Sequence, residues 1–139
     1  MIMRRQNAGF TLIELMVVVI IIAALAGMVL PRLLPRAEEA KKDIALGGIA
    51  GITTALKLYK LDNDRYPSTE EGLDALMTKP ASARNWKGPY LENKPFDPWK
   101  RKYEYKCPGV RNAGEFDIWS KGPDEANAED DVTNWEQQK

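Results

Sequence analysis

The chain of 139 residues has no histidine and only one cysteine, Cys107. Without histidine it lacks the commonest general base and the commonest transition-metal ligand. A single cysteine excludes an intramolecular disulfide. Cys107 reads either as a small buried apolar residue or as half of an intermolecular bridge. An excess of one charge is missing too: 20 basic residues balance 20 acidic ones, so nothing marks a nucleic-acid surface. There is no Gly-x4-Gly-Lys-Ser/Thr phosphate loop, no Ser/His/Asp set and no Cys/His set. The expectation is a chain that is not an enzyme.

What is present is a long apolar run. Phe10 to Leu30 is 21 residues with Glu14 as its only formal charge. As a helix it spans about 31 Å, the thickness of a bilayer core. Arg4 and Arg5 precede it, so the positive-inside rule keeps the amino end cytoplasmic, although Arg32 and Arg36 follow the run. A secretory signal peptide would have a shorter apolar region followed by a small-residue cleavage site. Here the run is longer and the small residue Gly9 stands before it; Ala24-Leu25-Ala26 is the alternative cut.

Glu14 needs a reason, because a carboxylate inside a bilayer costs roughly 2.5–3.5 kcal/mol. One reading places it near headgroups and water. The other gives it a cation from a neighbouring subunit. If the chain is cut after Gly9, the new amino group on Phe10 supplies such a charge about one helical turn away. Loss of residues 1–9 also leaves 18 basic against 20 acidic residues, a side-chain charge of −2.

Beyond the run, Pro31 and Pro35 each remove an amide hydrogen and, with Gly27, predict a kink or partial melting. Residues 36–62 read as an amphipathic helix, with Ala45, Ile49, Ile52, Leu56 and Tyr59 on one face. Gly47, Gly48 and Gly51 interrupt it. Gly47-x-x-x-Gly51 reads as a close contact with another helix, or as a locally weak helix. Ser68 and Glu71 form a capping box for a short helix carrying Leu73, Leu76 and Met77. Pro80, Pro89, Pro95 and Pro98 then punctuate a loop in which Trp86, Tyr90, Phe96 and Trp99 are expected to act as buried anchors. Residues 102–107 and 115–120 alternate as two strands around a turn at 108–114, predicting an antiparallel hairpin against the Ala45–Tyr59 face. The expected fold class is α+β: a long N-terminal helix, membrane-spanning in its first half, packed on a small antiparallel β-sheet.

Residues 120–131 concentrate Asp124, Glu125, Glu129, Asp130 and Asp131. Such a loop suits a hard cation with six to eight oxygen ligands, calcium before magnesium. An acidic solvated tail explains the composition as well.

Gly9-Phe10-Thr11-Leu12-Ile13-Glu14 and the apolar run behind it resemble the class III signal of type IV pilins and pseudopilins. Further motifs run in the order seen in major pseudopilins of type II secretion systems. They are Tyr66-Pro67-Ser68-Thr69-Glu70-Glu71-Gly72-Leu73, Gly88-Pro89-Tyr90-Leu91, Asp97-Pro98-Trp99, Pro108-Gly109, Phe116-Asp117-Ile118, Ser120-x-Gly122-x-Asp124 and Asp130-Asp131-Val132-x-Asn134-Trp135. The resemblance covers nearly the whole chain. It implies a type IV pilin-like fold divided as a leader (1–9), a filament-core helix (10–30), a kink region with an amphipathic helix (31–62) and a small C-terminal domain (63–139).

It further implies that a prepilin peptidase cuts between Gly9 and Phe10 and N-methylates Phe10. Glu14 and Pro31 then serve assembly. The product is a homopolymeric helical filament in the periplasm, built from an inner-membrane precursor. Its implied partners are minor pseudopilins, an inner-membrane platform with a cytoplasmic ATPase, and an outer-membrane secretin through which folded proteins leave. In this family the C-terminal loop binds calcium in place of a disulfide. Carried over, Asp124 and Asp131 are carboxylate ligands, Lys121 and Ala126 offer carbonyls, and Glu129 stands where another side-chain oxygen is expected. Two positions depart from the pattern: Glu125 replaces a glycine, and Lys100 replaces the glycine often found after Asp-Pro-Trp. The rival readings are a type IV pilus subunit and a membrane-anchored calcium-binding module that never polymerises.

Overall fold

The computed structural model describes residues 9–135; leader residues 1–8, with Arg4 and Arg5, and residues 136–139 lie outside the described residues. The first element is a helix, α1 (Leu12–Asn63), of 52 residues. The chain divides into two compact units, one ending at Ala37 and one starting at Glu38.

In the first unit every described residue from Gly9 to Ala37 is exposed. Its apolar helix buries nothing of its own, as a helix meant for lipid or for other helices must. The helical assignment continues through Pro31 and Pro35, where a kink or partial melting was expected. Each proline removes a single amide donor, and the surrounding turns keep the remaining ladder.

The second unit is built on the rest of α1, which buries Ala45, Ile49, Ile52, Ala55, Leu56 and Tyr59. The helix ends at Asp64, whose left-handed φ of 59° turns the chain away while its amide still donates to Lys60 O at 2.8 Å. The Ser68–Glu71 capping box forms reciprocally: Ser68 N donates to Glu71 Oε2 at 2.8 Å and Glu71 N to Ser68 Oγ at 3.2 Å. It closes a turn and not the first turn of an α-helix. Gly72 follows with φ 58°, and only a 3-10 helix, Leu73–Leu76, comes after it.

Arg65 clamps this turn. Its guanidinium donates to both Glu71 oxygens at 2.8 and 2.9 Å, and Ser82 joins the cluster. The Arg65 hydrogen bond, opposed by burial and aided by Ser82 and the Ser68 amide, holds the Glu71 carboxyl down at about 2.

Three of the four expected aromatic anchors hold the Pro-rich loop. Trp86 Nε1 donates to Ala75 O at 2.9 Å, Tyr90 Oη to Asp62 at 2.8 Å and Trp99 Nε1 to Glu38 at 2.9 Å. Phe96 does not act as an anchor: its side chain is exposed, and only its backbone is engaged, in a bridge to Lys102.

The sheet has three strands in the order β1-β2-β3, all antiparallel: β1 (Glu104–Lys106), β2 (Asp117–Ser120) and β3 (Val132–Thr133). Tyr105 faces Ile118 across the hairpin, and Ser120 faces Val132. The third strand is not legible in the sequence because two residues carry no alternation. Tyr103, Phe116, Ile118 and Val132 join the α1 residues in one core. Cys107 is half-buried at its margin, less enclosed than expected of a core cysteine. Asp117 is buried yet satisfied. Burial raises its pKa, but the amides of Arg111, Asn112 and Val110 outweigh that and lower it, fixing the turn after β1.

Candidate functional site

Two regions carry the expected functional residues: the amino end of α1 and the loop between β2 and β3. At the amino end, Gly9 and Phe10 precede the helix and are both exposed, so the bond between them is accessible. Thr11 is the N-cap and Glu14 the third helical residue. Thr11 N and Oγ1 donate to Glu14 Oε2 at 2.8 and 2.9 Å, and Glu14 N donates back to Thr11 Oγ1 at 3.3 Å. This is a capping box within one subunit: the Glu14 carboxylate accepts from donors at the start of the helix. Thr-x-x-Glu ahead of an apolar run was the signal available for it. Pro31 lies exposed within α1.

The β2–β3 loop closes on itself. Gly122 has φ +62° and its main chain lies so close to Asp130 that a Cβ at Gly122 would strike the Asp130 carbonyl. The loop's two ends therefore meet, bringing Lys121 and Gly122 to the Asp130–Asp131 end. Asn127 caps a 3-10 turn, Ala128–Asp130, by accepting from Glu129 N at 3.1 Å. Asp124 accepts from Ala126 N at 3.0 Å and is exposed, as are Ala126 and Glu129; Asp131 is half-buried.

Among the described residues no three acidic side chains converge into a metal-binding group. A hard cation at this loop would draw on Asp124 and Asp131 together with main-chain carbonyls such as those of Lys121 and Ala126. An all-oxygen donor set on a closed loop suits calcium.

Side-chain cations already brace the loop. Arg101 donates to the carbonyls of Gly122 and Pro123 and pairs with Glu125 at 3.0 Å; Lys42 of α1 lies 3.6 Å from Asp130. Glu125, one of the two departures from the family pattern, thus has a partner that nothing in the linear sequence announces. The Lys121 side chain points instead to Glu104, 3.7 Å away.

Asp97 explains two of the motifs together. It is buried, accepts from Trp99 N at 3.0 Å and Arg101 N at 2.8 Å, and takes the Ser120 hydroxyl at 2.6 Å. Ser120 Oγ in turn accepts from Gly122 N at 3.2 Å. Asp97-Pro98-Trp99 and Ser120-x-Gly122 are therefore two halves of one clasp that positions Arg101 over the loop. The other departure, Lys100, occupies this turn with φ 65°, the left-handed region where a glycine is unstrained.

The family model for type II secretion system protein G matches residues 32–135, and that for the prokaryotic N-terminal methylation motif matches residues 4–30. The chain is 46% identical to the type II secretion system core protein G of Pseudomonas aeruginosa, covering 96% of this chain and 98% of that one. It is 44% identical to the protein of the same name from Aeromonas hydrophila, over 95% and 94% of the two chains. The crystal structure of the major pseudopilin from the type 2 secretion system of enterohaemorrhagic Escherichia coli has a similar fold, with a TM-score of 0.70 and 36% identity over 77% of this chain and 92% of that one. With the long α1, the small antiparallel sheet and the methylation motif in place, the chain belongs to the type II secretion system protein G family, the major pseudopilins that are structural subunits of the pseudopilus.

Proposed function

We propose that this chain is made as a single-pass inner-membrane precursor with a cytoplasmic amino end, cut between Gly9 and Phe10 by a prepilin peptidase, and polymerised into a helical periplasmic filament. The observation that carries this reading is the apolar part of α1, exposed throughout and headed by an accessible Gly9–Phe10 bond. Leaving the bilayer costs such a helix its lipid contacts, and packing against copies of itself offsets that loss. A platform with a cytoplasmic ATPase drives assembly, minor pseudopilins share the filament, and folded proteins leave through an outer-membrane secretin. Calcium held by Asp124 and Asp131 with main-chain carbonyls, and Glu129 near it, secures the loop.

Cleavage creates a cation beside Glu14. The same carboxylate that caps α1 through Thr11 then faces the Phe10 amine, its own or a neighbour's. Mass spectrometry of the native amino terminus tests the processing step: an N-methylated Phe10 is expected, and an intact Met1 on functional protein overturns it. Electron microscopy of Glu14→Leu tests the docking step. The variant inserts at least as well as wild type and forms few filaments; filaments at wild-type yield remove the role of Glu14.

A further inference from the structure

We propose that the free edge of β1 binds a short extended segment of a different protein, which pairs main chain to main chain with Tyr105. The sheet order leaves β1 with a partner on one side only. Ile118 of β2 turns its main chain towards Asn134: its amide donates to Asn134 Oδ1 at 3.1 Å, and its carbonyl accepts from Asn134 N at 3.1 Å. Main-chain groups alternate sides along an antiparallel strand. Asp117 and Trp119 therefore face β1, opposite Lys106 and Glu104. Tyr105, between those two, turns its N–H and C=O outward. Among the described residues nothing takes either group.

The rest of that edge is covered. At one end the Phe96–Lys102 bridge lays residues 95–97 alongside 101–103, with Asp97 N donating to Arg101 O at 2.8 Å. At the other end Thr69 Oγ1 accepts from Cys107 N and donates to Cys107 O, both at 3.0 Å. Between the two covers lies a cleft of about 240 Å³, lined by Tyr105 with Glu70, Asp74, Lys94, Pro95 and Lys102. The four strand steps from Tyr103 to Cys107 span about 14 Å, the length of a stretch of three or four extended residues. The edge is rigid before anything arrives: Tyr105 Oη donates to Pro67 O at 2.8 Å, and its ring packs on Phe116.

The chemistry of the cleft identifies the occupant. An outward N–H and C=O on one strand residue are matched by the C=O and N–H of one residue of another extended chain. Within the lining, Lys94 pairs with Asp74 at 2.8 Å, whereas among the described residues no ion pair takes Glu70 or Lys102. Both are exposed. Glu70 follows Thr69 at one end of the cleft, and Lys102 stands at the Phe96 bridge at the other. The cleft therefore suits a peptide with one basic and one acidic side chain flanking the residue that pairs. A second β1 does not fit, because its own Tyr105 is recessed between its own Pro95 and Thr69, and two such edges cannot meet. The occupant is a flexible tail or loop of another protein.

The test uses the isotope-labelled full chain in detergent micelles and the peptide acetyl-Thr-Lys-Val-Glu-Thr-amide as probe. In the free chain the Tyr105 amide exchanges with solvent at least about tenfold faster than the amides of Glu104 and Lys106, which pair with β2. The peptide shifts the Tyr105 amide resonance and slows its exchange, with a dissociation constant of about 1 mM. The same peptide with N-methylvaline, which lacks the pairing N–H, does neither. Glu70→Gln with Lys102→Gln weakens binding about fivefold, the worth of two exposed charge pairs. The proposal is overturned if Tyr105 is as protected as its neighbours in the free chain, if the peptide leaves its amide unmoved, or if the N-methylated peptide binds equally well. A Tyr105 shift on raising the protein concentration alone assigns the edge to a second copy and overturns it too.

Discussion

The Tyr103 hydroxyl lies against Gly48 of α1, in the space that a Cβ at position 48 would occupy. It reaches the Ala45 carbonyl at 3.4 Å, so helix and sheet meet where the helix has no side chain. Two adjacent glycines therefore respond in opposite ways to alanine. Gly48→Ala overpacks the contact and destabilises the unit by about 1–2 kcal/mol. Gly47→Ala meets open space and stabilises the helix by up to about 1 kcal/mol. All four tryptophans lie between residues 86 and 135, so thermal melts followed by tryptophan fluorescence read both changes.

Lys100 is strained at φ 65°. A left-handed conformation costs a non-glycine residue roughly 1–2 kcal/mol, and glycine loses some of that gain through its freer unfolded chain. Lys100→Gly is expected to stabilise by about 0.5–1 kcal/mol in urea titrations. An unchanged midpoint would show that the Asp97 clasp absorbs the strain.

The Arg65–Glu71 pair makes stability depend on pH. The Glu71 pKa is lowered in the fold to about 2 from an ordinary 4.5. Its contribution is therefore complete above the unfolded value and is lost as pH falls from about 4.5 towards 2. Glu71→Gln is expected to cost roughly 2–3 kcal/mol at pH 7, after allowance for the solvent-facing side of Arg65. The difference from wild type shrinks as pH is lowered through that window. Chemical denaturation at pH 7, 4 and 3 measures it.

The loop reading predicts a specific response to chelation. Calcium raises the melting temperature of wild type, and chelator reverses the rise. Asp124→Ala with Asp131→Ala melts where chelated wild type does. Equal calcium-induced rises in mutant and wild type would place the ion elsewhere. Arg101→Met separates the side-chain brace from the metal: it lowers the melting temperature in chelator as well as in calcium, because Arg101 holds the Gly122 and Pro123 carbonyls directly.

Periodicity and end signals act over a few residues, and they made much of this chain legible. The apolar run, the core face Ala45–Tyr59, the hairpin around residues 108–114 and the Ser68–Glu71 box all follow from local spacing and all form. The box that Thr11 and Glu14 make is equally local, a Thr-x-x-Glu spacing at the head of the apolar run. The sequence signals for strand and anchor misled where tertiary context decided. β3 has two residues and becomes a strand because β2 offers it an edge. Phe96 has the chemistry of an anchor but stays exposed, while Trp99 on the same loop finds Glu38.

By itself the sequence determined a long apolar N-terminal helix and an α+β domain, and its motifs carried the family. Short-range hydrophobic order suffices for that, because helices and strands answer to the nearest few side chains. Only the tertiary structure decided which glycine serves the core and which faces outward. It alone joined Asp97 to Ser120 across 23 residues and set Arg101 over the loop that ends at Asp131. Those relationships come from chain segments distant in sequence meeting in space, and no local pattern encodes which of them will meet.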